Sequence, residues 1–306
     1  MDVDVIKLNF SPESLSLLNW IIAVIMFGVA LDIKIEDFKR VLLSPRGPLI
    51  GLSCQFFVFP FFAFLLTMIL QPRPSIALGI ILLAACPGGN FSNFLTHLSG
   101  GNAALSITMS SVSTVLSIVM TPFNIAFWGS MNPATASILQ SIEMDAFSIF
   151  KTVSTILIIP LLAGLLFNHR FPNATAKMQK PFKIFGVIFL ILFIILALTK
   201  NIEYFIQFVG IAAVIVFIMN SSALLIGFWF SRFLKLGVPE AKAVAFEVGI
   251  QNAGFGLILV FNFFNGLGGM AIIVAWWGVW HIISGLSLSL YWAKKLKPEI
   301  IRVSEA

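Results

Sequence analysis

The sequence predicts an all-α polytopic membrane protein, and three observations carry that expectation. Of 306 residues, 59% are hydrophobic and only 10% are charged, whereas a soluble domain carries roughly 25% charged residues. Phe accounts for 32 residues against 2 Tyr, which suits lipid contact better than a hydrated exterior. Apolar runs near the ~20 residues that a membrane helix needs recur along the whole chain. A soluble enzyme, a nucleic-acid-binding protein and a disordered chain are excluded, because too few charges remain to cover a water-facing surface.

The runs give nine spans, at about 15–33, 47–70, 75–98, 103–128, 146–168, 182–200, 204–231, 238–264 and 268–293. Ahead of the first, MDVDVIKLNFSPES holds Asp2, Asp4 and Glu13 rather than a basic stretch, so no cleavable signal is expected and the first span serves as its own insertion signal. The second contains Cys54 and an amide, Gln55; Cys54 and Cys86, both in apolar runs, read as small buried residues with no disulfide framework. The third, ILLAACPGGNFSNFLTHL, is interrupted by a polar, glycine-rich break. Along the fourth, Ser106, Ser110, Ser113 and Ser117 recur at helical spacing as one hydroxyl stripe, which either lines a site or allows close helix packing. The fifth carries the chain across between two sets of four spans. The eighth, AVAFEVGIQNAGFGLILV, is interrupted like the third. The ninth holds Trp276, Trp277, Trp280 and Trp292, read as interfacial or packing aromatics.

Charge sets the orientation. The net charge is +6, and 15 of the 19 basic residues fall after odd-numbered spans or in the tail: Lys34, Lys39, Arg40, Arg46, Arg170, Lys177, Lys180, Lys183, Arg232, Lys235, Lys242, Lys294, Lys295, Lys297 and Arg302. Only Lys7, Arg73, Lys151 and Lys200 lie on the other side. The positive-inside rule puts the N-terminus outside and the C-terminus in the cytoplasm, so the basic loops need no nucleic acid to explain them. Asn173 matches a glycosylation acceptor, but on the cytoplasmic side the match carries nothing.

Of 13 acidic residues, Glu247 alone lies mid-span. A carboxylate there costs about 2.5–3.5 kcal/mol on insertion scales and marks a functional site by default; the alternative is a neutral Glu247 hydrogen-bonded to a neighbouring helix. Gly249, Gln251, Asn252, Gly254 and Gly256 surround it with polar groups and flexible backbone. In the third span Pro87 removes a donor, Gly88 and Gly89 free the chain, and Asn90, Ser92 and Asn93 follow. Unwound backbone at membrane depth is tolerated only where protein or a watery cavity satisfies it. Two such breaks point to a transporter of inverted repeats, spans one to four pairing with six to nine. One carboxylate with hydroxyl, amide and carbonyl oxygens suits Na⁺ by hard-cation logic, not a soft metal. Half-helix N-termini would offer positive dipole ends to an anion.

The strings CPGGNFSN (Cys86–Asn93), EVGIQNAG (Glu247–Gly254) and WHIISG (Trp280–Gly285) resemble the bile acid:sodium symporter family, over about residues 15–293. The resemblance implies a single transporter domain, 1–306, with a core at about 47–128 and 204–293 and a panel at about 15–33, 146–168 and 182–200. It implies a first sodium site of Ser92, Asn93, Ser106, Ser110 and Glu247. A second would comprise Gln55, Glu247, Val248, Ile250 and Gln251, with Glu247 bridging the ions. Helix breaks fall at Pro87, Gly88, Gly89 and Gly249. Asn90, Phe91, Asn252 and His281 would face the substrate, an organic anion such as a bile acid or a pantoate-like acid; relatives with Thr at the Asn90 position leave the choice of anion open, and His281 reads equally as a structural histidine.

The function so implied is sodium-coupled symport of an organic anion by alternating access, with two Na⁺ and no organic cofactor. A bacterial inner membrane is the expected home, with lipid but no obligate protein as partner. A proton-coupled or arsenite-type carrier, for which Cys86 would supply thiol chemistry, and an uncoupled channel are the alternatives. An enzyme is not expected: His97, His169 and His281 lie in distant segments, and no second membrane carboxylate partners Glu247.

Overall fold

The computed structural model describes residues 4, 24, 27, 28, 30–141, 158–160, 162–200 and 202–304, and most of the expected first and fifth spans lie outside them. Among the described residues the protein is helical without a strand. Among the described residues four helices are long and apolar enough to cross a membrane: Arg46–Leu70, Ala103–Met131, Phe208–Phe233 and Gly268–Lys294. Pro74–Ala85 and Ala253–Phe263 are shorter apolar helices.

A short amphipathic helix, α1 (Ile35–Leu43), precedes the first of these. It directs Phe38 and the buried Asp37 at the neighbouring helices and leaves Lys39, Arg40, Leu42 and Leu43 exposed. Next comes α2 (Arg46–Leu70), continuous through one wide π turn at Cys54–Val58. Such a turn leaves a local widening in the hydrogen-bond ladder and recurs at functional sites; here it carries Gln55, which is fully buried, while Phe57 and Phe61 face outward. The helix ends at Gln71 in the left-handed conformation, φ 43°.

The segment expected as the third span is two helices, α3 (Pro74–Ala85) and α4 (Phe91–Leu98). Pro74 opens α3, where its missing donor costs nothing, and every residue from Ser75 to Ala85 is buried, which makes α3 the centre of the core. After it come α5 (Ala103–Met131), capped by Asn102 accepting from the Leu105 amide at 3.0 Å, and a short α6 (Pro133–Ser141). Next are α7 (Pro172–Lys200) and α8 (Ile202–Phe233). The segment expected as the eighth span is again split, into α9 (Val238–Gly249) and α10 (Ala253–Phe263), and α11 (Gly268–Ser304) follows.

The sequence left α1 and α6 as loops and started the sixth span about ten residues late, because Pro172 begins a helix rather than breaking one. Lys242, expected in a basic loop, lies in α9 and is buried. Where described, the ends of the expected first, fifth and sixth spans meet. Phe27 packs on Phe167 and Phe182, and the Asn168 and Gln179 amides both donate to the Leu31 carbonyl.

Candidate functional site

Both split helices break at the same place in the molecule. At Cys86 the backbone turns extended (φ −70°, ψ 157°), and at Ile250 it leaves α9 (φ −110°, ψ 84°). The two freed strands form an antiparallel bridge between Gly88 and Gln251. The Gly89 amide donates to the Ile250 carbonyl at 2.6 Å, and the Asn252 amide to the Pro87 carbonyl at 2.9 Å. The two glycines are required by proximity. A Cβ at Gly88 would overlap the Glu247 carboxylate, and one at Gly89 would press at 3.2 Å on the Ile250 and Gln251 carbonyls.

Side chains satisfy the remaining carbonyls, as buried backbone requires. Thr121 donates to the Ala85 carbonyl at 2.6 Å, Gln55 to that of Cys86 at 2.7 Å, Gln251 to that of Val248 at 2.6 Å and Asn220 to that of Gly249 at 2.7 Å. The crossing therefore gathers the C-terminal ends of α3 and α9, which favour cations, and the N-terminal ends of α4 and α10, which favour anions.

Glu247, on the last turn of α9, is fully buried. Its Oε2 accepts from Ser110 at 2.7 Å and Ser92 at 3.1 Å; its Oε1 accepts from Ser113 at 3.0 Å. Asn93 Oδ1 accepts from Ser106 at 2.8 Å and Ser110 at 3.2 Å, joining all five residues of the first expected set in one oxygen-rich cluster between α4, α5 and α9. The serine stripe thus meets the carboxylate and not merely a packed neighbour. Ser117 is different: its hydroxyl donates to the Thr114 carbonyl.

On the other side of the bridge the buried side chains of Gln55 and Gln251 pair, with Nε2 to Oε1 distances of 3.0 and 3.3 Å. Val248 and Ile250 contribute the carbonyls beside them. The atoms expected as ligands are oxygens throughout. Carboxylate, hydroxyl, amide and carbonyl oxygens suit a hard cation rather than a soft metal. Cys86 turns its thiol back to the Leu82 carbonyl at 3.2 Å, which leaves thiol chemistry without support.

The four residues expected to meet substrate surround the same crossing. Asn90 is exposed at the start of α4, and Phe91, half-buried, stacks on Phe94. Asn252 caps α10 by accepting from the Phe255 amide at 3.0 Å. His281 lies on α11 between Gly278, which approaches Ala253, and Gly285, which approaches Leu95 and Ile250. These spacings of three and four put His281 on the helix face turned to the crossing. Its Nδ1 is buried without a hydrogen-bond partner.

Three residues escaped sequence reasoning about the site. Ser113 was read only as part of the stripe. Asn220 holds the end of α9 and accepts in turn from Ser284, a role signalled by an amide within the apolar run IVFIMNSSALL. Lys242 donates to the Ser99 carbonyl at 2.7 Å and lies 5.5 Å over the Trp292 ring, so it ties α9 to the end of α4.

Comparison with known proteins bears on what this geometry is for. A model of the sodium bile acid symporter family matches residues 20–208. The uncharacterised sodium-dependent transporter YocS of Bacillus subtilis is 32% identical over 92% of this chain and 87% of its own length. A probable chloroplastic sodium/metabolite cotransporter, BASS1, of Arabidopsis thaliana is 28% identical over 92% of the chain and 69% of its own. The human ileal sodium/bile acid cotransporter is 27% identical over 78% of the chain and 66% of its own. All three are named as transporters and none as an enzyme.

Proposed function

The chain belongs to the sodium bile acid symporter family, and from that premise we propose that it is a symporter in which two Na⁺ entering the cell drive uptake of an organic anion. It is an integral membrane protein of a sodium-dependent transporter family; the substrate, the ion count and the mechanism are our reading. The observation that carries the reading is the fully buried carboxylate of Glu247, ringed by three serine hydroxyls where two broken helices cross.

In this reading Na⁺ occupies two places. One lies among Ser92, Asn93, Ser106, Ser110 and Glu247. The other lies among Gln55, Gln251, Glu247 and the carbonyls of Val248 and Ile250. One carboxylate serves both ions, so each ion lowers the cost of burying it. The anion binds where the α4 and α10 N-termini converge, near Asn90, Phe91, Asn252 and the unpaired Nδ1 of His281. No Lys or Arg is needed there, because dipole ends and two nearby cations supply the positive field. Coupling follows because the ions fix the broken strands that form the anion site. Nine spans in inverted repeats, N-terminus outside, complete the reading. A panel of spans one, five and six rocks against the core, and the contacts of Phe27 and Leu31 with residues 164–182 are consistent with that grouping.

The test is uptake of labelled taurocholate and pantoate by proteoliposomes under an inward Na⁺ gradient, with K⁺ as control. Wild type is expected to concentrate at least one of these anions only with Na⁺, and E247Q to lose the sodium dependence. Equal flux in Na⁺ and K⁺, or an unchanged E247Q, would overturn it.

A further inference from the structure

The two oxygens of Glu247 are held differently. Oε2 accepts from Ser92 and Ser110, which belong to the proposed first ion site. Oε1 accepts from Ser113 alone among the described hydroxyls and lies against Gly88, whose strand is bridged to Gln251. Oε2 therefore faces the cluster between α4 and α5, and Oε1 is the oxygen nearer the Gly88 strand that pairs with Gln251.

We infer that Ser113 is a positioning residue that holds Oε1 toward the second ion site, and so divides one carboxylate between two ions. A hydroxyl that coordinates a cation through its lone pair is free to turn its proton elsewhere, so Ser92 and Ser110 change role when an ion enters. Ser113 lies in neither proposed ion set. Its proton stays on Oε1 in both conditions and keeps the carboxylate from swinging about its Cγ–Cδ bond. Ser113 is fully buried and is one turn beyond Ser110, which places it on the same face of α5. Its other contact, a 3.2 Å approach to the Ser110 carbonyl, is the bond that a packing serine makes within its own helix. The 3.0 Å bond to a carboxylate is charge-assisted and the stronger of the two.

This inference rests on the sodium sites proposed above, and the experiment separates the two. Thermal unfolding of the purified protein is followed across a NaCl titration at constant ionic strength set with KCl, for wild type, S113A, S113T, S113V, S117A and E247Q. Removing a bond to a charged group is expected to raise the half-stabilising Na⁺ concentration about tenfold in S113A. The titration should also become shallower, because only one of two ions is affected. S113T, which keeps the hydroxyl, should titrate as wild type, whereas its near-isostere S113V should follow S113A. S117A should be unchanged, since its hydroxyl serves the Thr114 carbonyl. Wild-type midpoint and slope in S113A, or equal weakening in S113T and S113V, would overturn the positioning role. If S113A does not fold, the S113T and S113V pair decides. If E247Q keeps the full Na⁺ shift, the sodium-site reading itself fails; if E247Q loses it and S113A does not, this inference alone is lost.

Discussion

Replacing Gly88 with Ala tests the site without substituting any of its polar side chains. Gly88 does not have a positive φ, so the backbone accepts Ala without strain. The whole effect must come from the new Cβ, which would fall on Oε1 and Cδ of Glu247 and approach Oε2 to 3.0 Å. The carboxylate has to move, and the bond it loses first is the one from Ser113 on the oxygen facing Gly88. A hydrogen bond to a charged group contributes about 1.5–3 kcal/mol, and losing it at the low end of that range corresponds to roughly tenfold weaker sodium binding, the same shift expected of S113A. A Na⁺ titration of the thermal midpoint measures this, because an ion that binds only the folded state stabilises in proportion to its occupancy. The control is G210A: a Cβ at Gly210 meets nothing within 4 Å, and Ala there should be neutral or stabilise by about 0.5–1 kcal/mol through helix propensity. A G88A protein with the wild-type sodium midpoint would refute the placement of the carboxylate, and with it the reasoning from the crossing.

Two further predictions probe the supports of the broken helices. N220A should strip the Gly249 carbonyl of its side-chain donor at the end of α9 and lower stability by about 1–3 kcal/mol; thermal unfolding without Na⁺ reads this, and an unchanged midpoint would mean that the carbonyl finds another donor. K242M should keep the aliphatic stem but lose the bond to the Ser99 carbonyl and the contact with the Trp292 ring. A loss of about 2 kcal/mol is expected, whereas an unaltered unfolding midpoint would show that the ammonium group contributes nothing to holding α9 against α4.

The helix breaks and the carboxylate were legible in the sequence because each violates its surroundings. Glu247 is a charge in an apolar run, and CPGGN is a run of helix breakers inside a span. Which oxygens meet that charge was only partly legible. Helical spacing put Ser106, Ser110, Ser113 and Ser117 on one stripe, but spacing does not say how far along the stripe the carboxylate reaches; it reaches Ser113 and stops before Ser117. Charged residues near span ends misled in the other direction. Lys242 was expected among the basic loops, and Asp37 falls between two expected spans, yet both are buried. Asp37 accepts from Ser111 at 2.7 Å on the helix whose serines meet Glu247, and Lys242 caps a half-helix that ends beside it. Such partners come from elements distant in sequence, and no local pattern announces them.

The exchange of backbone bonds at the crossing has a consequence for biosynthesis. The Ala85 and Cys86 carbonyls are met by Thr121 and Gln55, which lie in the same half of the chain. The Pro87 carbonyl and the Gly89 amide find partners only in Asn252 and Ile250. At roughly 5–20 residues per second, a ribosome delivers those partners on the order of ten seconds after the first break enters the membrane. For that interval the Pro87 carbonyl and the Gly89 amide lack the partners they have in the folded protein, a cost that rises steeply if they enter lipid unpaired. The last third of the chain is thus what allows the first third to settle, and a truncated product would present the quality-control proteases with an open strand.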